Sequence, residues 1–430
     1  MKKYYDRLIE PYLKNLMKEF PAIAIDGLKG VGKTVSTKRI AATVFELDKP
    51  NDFDLITNIP DVLISQSPPM LIDEWQRIPS VWDFVRRAVD DGAKPGTFLL
   101  TGSISSADTN IHSGAARIIR RKMYPLSLAE RGIEKPTVSI AELFSVAEPF
   151  KADISGKTDV SSRDYIYEIS ASGLPAFRNF APDSRKIAFE SFFASILFHD
   201  FRKQGIKLRQ PETLLRWLRA YAATVSTDAG YSEILDASTA GEGNKPAAKT
   251  TIVYREALEN LWLLDELMPW IEGESFFSGL KRSPKHYLAD PAFAVYLLGL
   301  DERILSGGNG WMSRAERFDE KYGSIIGRLF EALVHLCLST YASVNNSKLF
   351  FAKTYKGDHE VDFVLQKDSK IIACEVKFSP IADISDGKHL RWFIDKVGGD
   401  CLDAMIITTG GIAYRRKDGI AVVPAALLGA

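Results

Sequence analysis

The chain is poor in cysteine. Three residues in 430, Cys337, Cys374 and Cys401, make an odd, scattered set with no Cys-x-x-Cys pair, which argues against both a disulfide framework and a zinc site. Histidine is equally scarce at six, and no metal-ligand spacing emerges from it. His335 and His389 fall in apolar helical surroundings that predict structural roles, while His359 has Asp362 near it and nothing more. No apolar run reaches the roughly 18 residues needed to cross a bilayer. The opening Met1-Lys2-Lys3-Tyr4-Tyr5-Asp6-Arg7 leads into broken amphipathic sequence rather than a signal peptide, so a cytoplasmic protein with no membrane partner is expected. An excess of charge is also missing: Lys+Arg and Asp+Glu are 55 each, so no net field draws a polyanion. Contact with nucleic acid would have to come from local patches. Arg202, Lys203, Lys207, Arg209, Arg216 and Arg219 form the richest, with shorter ones at 117–122 and 415–417. A solvated face is the simpler reading of each.

What is present is length and pattern. A chain of 430 residues exceeds one ordinary core and predicts two or three domains. Residues 1–190 alternate strand-like and helix-like runs: a strand at 22–26, a helix over 33–47, a strand at 70–73, a helix over 81–90 and a strand at 97–101. Strands separated by helices imply an α/β domain with a parallel sheet. Residues 191–280 read as a small helical domain. Leu214, Leu215, Leu218 and Tyr221 recur at helical spacing, Ser232 is a candidate cap, and Val253, Ala257, Leu258 and Leu261 stripe a longer helix after a loop at 241–246. Helix, loop, helix suits a winged helix or an all-α lid. Residues 281–430 return to α/β, with a helix over 325–341 and strands at 349–352, 360–365, 371–377 and 404–408.

The run Gly27-Leu28-Lys29-Gly30-Val31-Gly32-Lys33-Thr34 follows the strand Ile23-Ala24-Ile25 and opens a helix. This is the pattern of a Walker A phosphate loop. Its glycines, with Val31, let backbone N–H groups turn toward phosphate, the lysine reaches the β- and γ-phosphates, and the threonine hydroxyl meets Mg2+. ATP and Mg2+ are the expected cofactors. Pro69-Met70-Leu71-Ile72-Asp73-Glu74 is an apolar strand ending in two acids, as a Walker B segment does. Asp73 is placed to hold Mg2+ through water and Glu74 to polarise the attacking water, which points to hydrolysis rather than binding alone. Phe98-Leu99-Leu100-Thr101-Gly102-Ser103 is a further strand whose Thr101 or Ser103 can sense the γ-phosphate, or simply turn the chain. Arg117, then Arg120, are the candidates for an arginine finger, with Arg121 beside them. A finger supplied by a neighbouring subunit would make the active form a homo-oligomer.

Together, Gly27 to Thr34, Leu71 to Glu74, Leu100 to Ser103 and Arg117-x-x-Arg120-x-x-x-Tyr124-Pro125-Leu126-Ser127 resemble the prokaryotic AAA-type ATPases that carry a C-terminal domain of unknown function. The similarity extends over nearly the whole chain, through Thr251-x-x-x-x-Arg255-Glu256-Ala257-Leu258-Glu259. Ser283-Pro284-Lys285-His286-Tyr287-Leu288-Ala289-Asp290 resembles that family's entry into its last domain. Ala116 departs from the pattern, which has glycine before the arginine.

In the last domain, Glu360-Val361-Asp362-Phe363-Val364 is followed by Ala373-Cys374-Glu375-Val376-Lys377. Because side chains alternate along a strand, these place two carboxylates and an ammonium on one side of a small sheet, and Glu331 in the helix before them offers another acid. Carboxylates so placed can bind Mg2+ while Lys377 orients water. The arrangement is similar to the PD-(D/E)xK restriction-endonuclease-like fold, active or persisting as an inactive scaffold. Three functions are therefore expected to compete: an ATP-hydrolysing protein acting on or with DNA, a nucleotide-gated switch for a protein partner, and an ATP-regulated metal-dependent nuclease.

Overall fold

A computed structural model of the chain describes residues 4–103, 116–206, 208, 211–239, 248–270, 283–306, 324–355 and 357–430. It forms two compact units: Met1–Pro125 with Glu256–Leu263, and Leu126–Arg255 with Leu264–Ala430.

The first unit is built on five parallel strands, β1 (Ala22–Asp26), β2 (Thr43–Glu46), β3 (Met70–Asp73), β4 (Phe98–Gly102) and β5 (Ile118–Lys122), in the order β2-β3-β4-β1-β5. The longer helices that accompany them are α1 (Ile9–Leu16), α2 (Lys33–Lys38), α3 (Pro50–Asn58) and α4 (Ser80–Asp90). Strands β1, β3 and β4 are buried along their whole length, as a sheet covered on both faces requires. Ala24, Ile72 and Leu100 pack there with Trp75 and Trp82, whose rings lie 4.7 Å apart. One sequence expectation is corrected, and one stretch gains an element. The helix expected over 33–47 stops at Lys38, because Thr43-Val44-Phe45, a β-branched and aromatic run, pairs with Met70-Leu71-Ile72 as β2. The basic run 118–122 is strand β5, whose position at the sheet edge leaves its charged residues partly exposed. Parallel pairing brings the C-terminal ends of β1, β3 and β4 to one edge, the edge where open α/β sheets bind ligands.

In the second unit, three helices, Pro211–Ala223, Tyr231–Ser238 and Ala248–Asn260, come in the order read from the sequence. The last of them passes from the second unit into the first at Glu256. Gly230, not Ser232, stands at the N-cap of the second. The loop at 241–246, Lys207 and Arg209 lie outside the described residues. Strands β6 (Leu264–Leu267) and β7 (Lys285–Leu288) then pair antiparallel. They precede α5 (Ile325–Val344), strands β8 (Lys348–Lys353), β9 (Glu360–Lys367) and β10 (Lys370–Val376), helix α6 (Lys388–Val397), and strands β11 (Cys401–Thr408), β12 (Ile412–Arg415) and β13 (Ala421–Pro424).

The larger sheet runs β8-β9-β10-β11-β13-β12, with Gly156–Lys157 at its far edge. Its first three strands form an antiparallel meander, and β11 lies parallel to β10. Helix α5 is long and apolar enough to cross a membrane, yet 78% of its apolar window is buried within the fold. The sequence reading drew boundaries near 190 and 280, whereas the second unit begins at Leu126. The physical reason is that Ser162–Ala171, Pro291–Leu298 and α5 pack on one another, and residues 156 and 157 complete the sheet.

Candidate functional site

The phosphate loop follows β1 directly. Gly27, Gly30 and Gly32 have φ of 145°, 88° and 103°, a region that side chains with a Cβ avoid. A Cβ on Gly27 would also sit 2.4 Å from the Met123 carbonyl oxygen. Lys33 opens α2, is 5% exposed, and donates to the carbonyls of Gly27 at 2.7 Å and Leu28 at 3.0 Å. Its ammonium thus rests on the loop it belongs to. Burial lowers its pKa to about 8, against the opposing pull of Glu74, Asp26 and Asp73.

At the end of β3, Asp73 Oδ1 accepts hydrogen bonds from Thr34 Oγ1 at 2.7 Å and from the Thr101 hydroxyl. Burial raises the Asp73 pKa, the two hydroxyls oppose the rise, and Glu74 adds to it. Glu74 is held at φ 55°, ψ 43°, a left-handed conformation uncommon outside glycine that clusters at functional sites. Its carboxylate takes Ser103 Oγ at 2.9 Å on one oxygen and Gln76 Nε2 at 2.5 Å on the other. The structure therefore brings together Lys33, Thr34, Asp73, Glu74, Thr101 and Ser103 at the ends of β1, β3 and β4.

The arginines separate. Arg117 lies just before β5, at the end where Ile118 pairs with Ala22, and bonds Asp90 at 2.8 Å. Four residues of strand, roughly 13 Å, divide that end of β1 from Asp26. Arg120 instead donates to Asp26 Oδ2 at 2.7 Å and lies over the Trp82 ring, and Arg121 bonds the Tyr12 hydroxyl. Asp26 is buried, its pKa raised by that burial against Arg120, and its Oδ1 has no hydrogen-bond partner. Two contributors have no sequence signal. Arg7, 5% exposed, donates to the carbonyls of Val31 and Tyr124, both at 2.6 Å, and so fixes the phosphate loop from behind. Gln76 is the other.

In the second unit the acids of the nuclease-like reading also converge, but around a cation of the chain's own. Lys285 Nζ in β7 lies 2.7 Å from Glu360, 3.1 Å from Glu331 and 3.3 Å from Asp362. Tyr287 donates to Glu331 at 2.7 Å, Asp362 accepts the Val376 N–H at 2.9 Å, and Lys377 pairs with Glu375 at 3.0 Å. Among the described residues no group of three or more His, Cys, Asp or Glu side chains is set to hold a metal ion. The set Glu331, Asp362 and Glu375 with Lys377, expected to hold a divalent metal, therefore does not fit one as folded, because an ammonium lies among the carboxylates. Lys285 and Tyr287 belong to the 283–290 motif, whose role the sequence reading left open. The other polar members of that motif are also placed: His286 meets the Ala229 carbonyl, and Asp290 accepts from Ser172, Gly173 and Ala292.

Comparison with known proteins matches the chain in three segments. Residues 19–131 match the model of an AAA domain, 162–304 a domain of unknown function, and 326–428 a second domain of unknown function. Two uncharacterized proteins, from Mycobacterium bovis and Mycobacterium tuberculosis, are each 23% identical over 382 residues, covering 87% of this chain and 74% of theirs. Among solved structures, a Walker-type ATPase of Pyrococcus abyssi aligns at 13% identity and a TM-score of 0.39 over 68% of this chain and 96% of its own. A structure of Drosophila ORC bound to DNA aligns at 13% and 0.21 over 70% and 94%. From the AAA match and the geometry of the phosphate loop together, residues 19–131 form an AAA-type P-loop ATPase domain.

Proposed function

We propose that the first unit hydrolyses ATP with Mg2+ and that Glu74 is its base. The observation that carries this reading is the 2.7 Å bond from Thr34 to Asp73, which joins the end of the phosphate loop to the acid-bearing strand. The residues suit both groups. Gly30, at φ 88°, has nothing within 4 Å of the position a Cβ would take, so that face of the loop is open to a phosphate. A hydroxyl and a carboxylate are the hard oxygen donors that Mg2+ selects.

In this account the backbone N–H groups of residues 27–34 hold the phosphates. Lys33 leaves the carbonyls of Gly27 and Leu28 for phosphate oxygens, an exchange in which it gains charged partners. Thr34 would hold Mg2+ directly and Asp73 through water. Bound there, Mg2+ supplies charge neutralisation on the phosphates. Glu74, oriented by Ser103 and Gln76, takes the proton of the attacking water, and Thr101 keeps Asp73 in register. Arg120 is the finger candidate within reach of the β1 end. A role for Arg117 at a phosphate requires a neighbouring subunit, and with it a homo-oligomer. The test is ATP turnover by the whole chain beside Lys33→Ala and Asp73→Asn. Loss in both supports the assignment, and turnover unchanged in either sinks it.

Action on DNA is a further part of the proposal, supported by one observation: three helices followed by a two-stranded antiparallel sheet is the element order of a winged helix. Duplex, single-stranded and forked DNA added to the ATPase assay decide it. Stimulation that falls as salt rises supports the reading, and indifference to all three removes it.

A further inference from the structure

Lys285 is among the largest fully buried side chains of the protein. An isolated ammonium in such a place costs many kcal/mol, so its partners have to compensate. They do so one for one. An ammonium has three N–H donors, and three carboxylates, from Glu331, Glu360 and Asp362, stand within 3.3 Å. They come from two elements, one from α5 and two from β9, and meet a lysine from β7. Burial would lower the Lys285 pKa, but the three carboxylates outweigh it and raise it well above the usual value, so the charge stays. The second oxygens of two of them are also engaged, by Lys353 on Glu360 and by the Val376 N–H on Asp362, while Tyr287 donates to the Glu331 oxygen that Lys285 holds. Lys377 bonds one oxygen of Glu375, and the other oxygen is buried with no partner.

Continuing the β9–β10 register beyond Phe363↔Cys374 sets Asp362 opposite Glu375, the pairing from which a metal-dependent nuclease would coordinate its ion. A divalent cation there needs oxygens at about 2.0–2.6 Å and an unoccupied centre. The lysine takes up oxygens of both Glu331 and Asp362, and its positive charge repels a metal from the space beside it. We propose that Lys285 is the resident cation of this acidic centre, in the position a divalent metal would occupy, and that the second unit therefore neither requires a metal nor cleaves nucleic acid. The orphaned Glu375 oxygen is what remains of a coordination set closed by a side chain.

The experiment uses the full chain without nucleotide. Mn2+ binding is measured by electron paramagnetic resonance and by thermal unfolding in the parent, Asp362→Asn, Lys285→Met and Lys285→Met/Asp362→Asn, with duplex DNA degradation assayed in Mg2+ and Mn2+. The parent and Asp362→Asn should bind Mn2+ alike and leave DNA intact. Lys285→Met, with its carboxylates uncompensated, should gain a Mn2+ site that raises its unfolding temperature and is lost in the double variant. A folded Lys285→Met with no added Mn2+ binding overturns the proposal. So does Mn2+ binding or DNA cleavage by the parent that Asp362→Asn removes. That second comparison decides the matter even if Lys285→Met fails to fold.

Discussion

Thr34 donates its hydroxyl to Asp73 Oδ1 at 2.7 Å across 39 residues of sequence. The bond joins the two segments whose chemistry phosphate transfer needs, and Asp73 is held by Thr101 as well. Asp73→Asn keeps the shape but removes the charge. ATP should still bind, while kcat falls about 10²-fold or more and the Mg2+ concentration for half-maximal rate rises. Steady-state phosphate release against Mg2+ measures both.

Lys33 gives the site a pH dependence. Burial holds its pKa at about 8 in the nucleotide-free chain, and polyphosphate would draw it back up. Below pH 8 the lysine is charged in both states, and binding through it is insensitive to pH. Above pH 8 the free protein has lost a proton that the complex regains, so binding takes up a proton and weakens by up to about tenfold per pH unit. Titration calorimetry at pH 9 in buffers of different ionisation enthalpy reads that uptake. Lys33→Arg, which stays charged, should show none.

Arg7 is a structural tie rather than a chemical participant. Its bonds to the Val31 and Tyr124 carbonyls are buried and partly buried. Arg7→Ala leaves two acceptors without their charged donor and should cost about 2–4 kcal/mol in chemical unfolding of the first unit. It should also raise KM for ATP more than it lowers kcat, because the loop is loosened rather than stripped of a reacting group.

The two finger candidates should behave differently in the isolated subunit. Arg117 pairs at the surface with Asp90, and Arg117→Ala should leave stability nearly unchanged because solvent screens the pair. Any loss of ATPase activity should then appear where chains associate, as a rate that depends on protein concentration. Arg120→Ala strands the buried Asp26 carboxylate and should cost about 2–3 kcal/mol, below the figure for a fully buried pair because Arg120 is partly exposed. Thermal unfolding and ATPase titrations in protein concentration separate the two.

Ala116 adopts φ 64° just before β5, the conformation for which the resembling family uses glycine. A Cβ there costs about 1–2 kcal/mol, partly offset by the extra freedom glycine has when unfolded. Ala116→Gly should therefore stabilise the first unit by roughly 0.5–1 kcal/mol, measurable as a shift in denaturant midpoint at constant slope.

How much of this was legible depended on whether the cause was local. Strands β1 and β3 were readable to the residue because an apolar run ended abruptly in Gly27 or in Asp73-Glu74. The acids of β9 and β10 were readable because alternation along a strand fixes their face. The strand at Ile118-Ile119-Arg120-Arg121-Lys122 was not, since three cations in a row read as a surface patch until one knows that the sheet ends there. Arg7 and Lys285 were illegible for a deeper reason. Each acts on partners up to 117 and 77 residues away, and a single arginine or lysine carries no periodicity that could announce it. Gly156–Lys157, which closes the edge of the second sheet from more than 250 residues upstream of β12, escaped for the same reason.

The central claim is that Glu74 activates water on a nucleotide held by Lys33, and a single comparison tests it most directly. ATP binding and phosphate release are measured for the full chain, Glu74→Gln and Lys33→Ala. The account predicts that Glu74→Gln binds ATP as the parent does and releases phosphate about 10²-fold or more slowly, while Lys33→Ala loses binding. Phosphate release from Glu74→Gln at the parent's rate would contradict it.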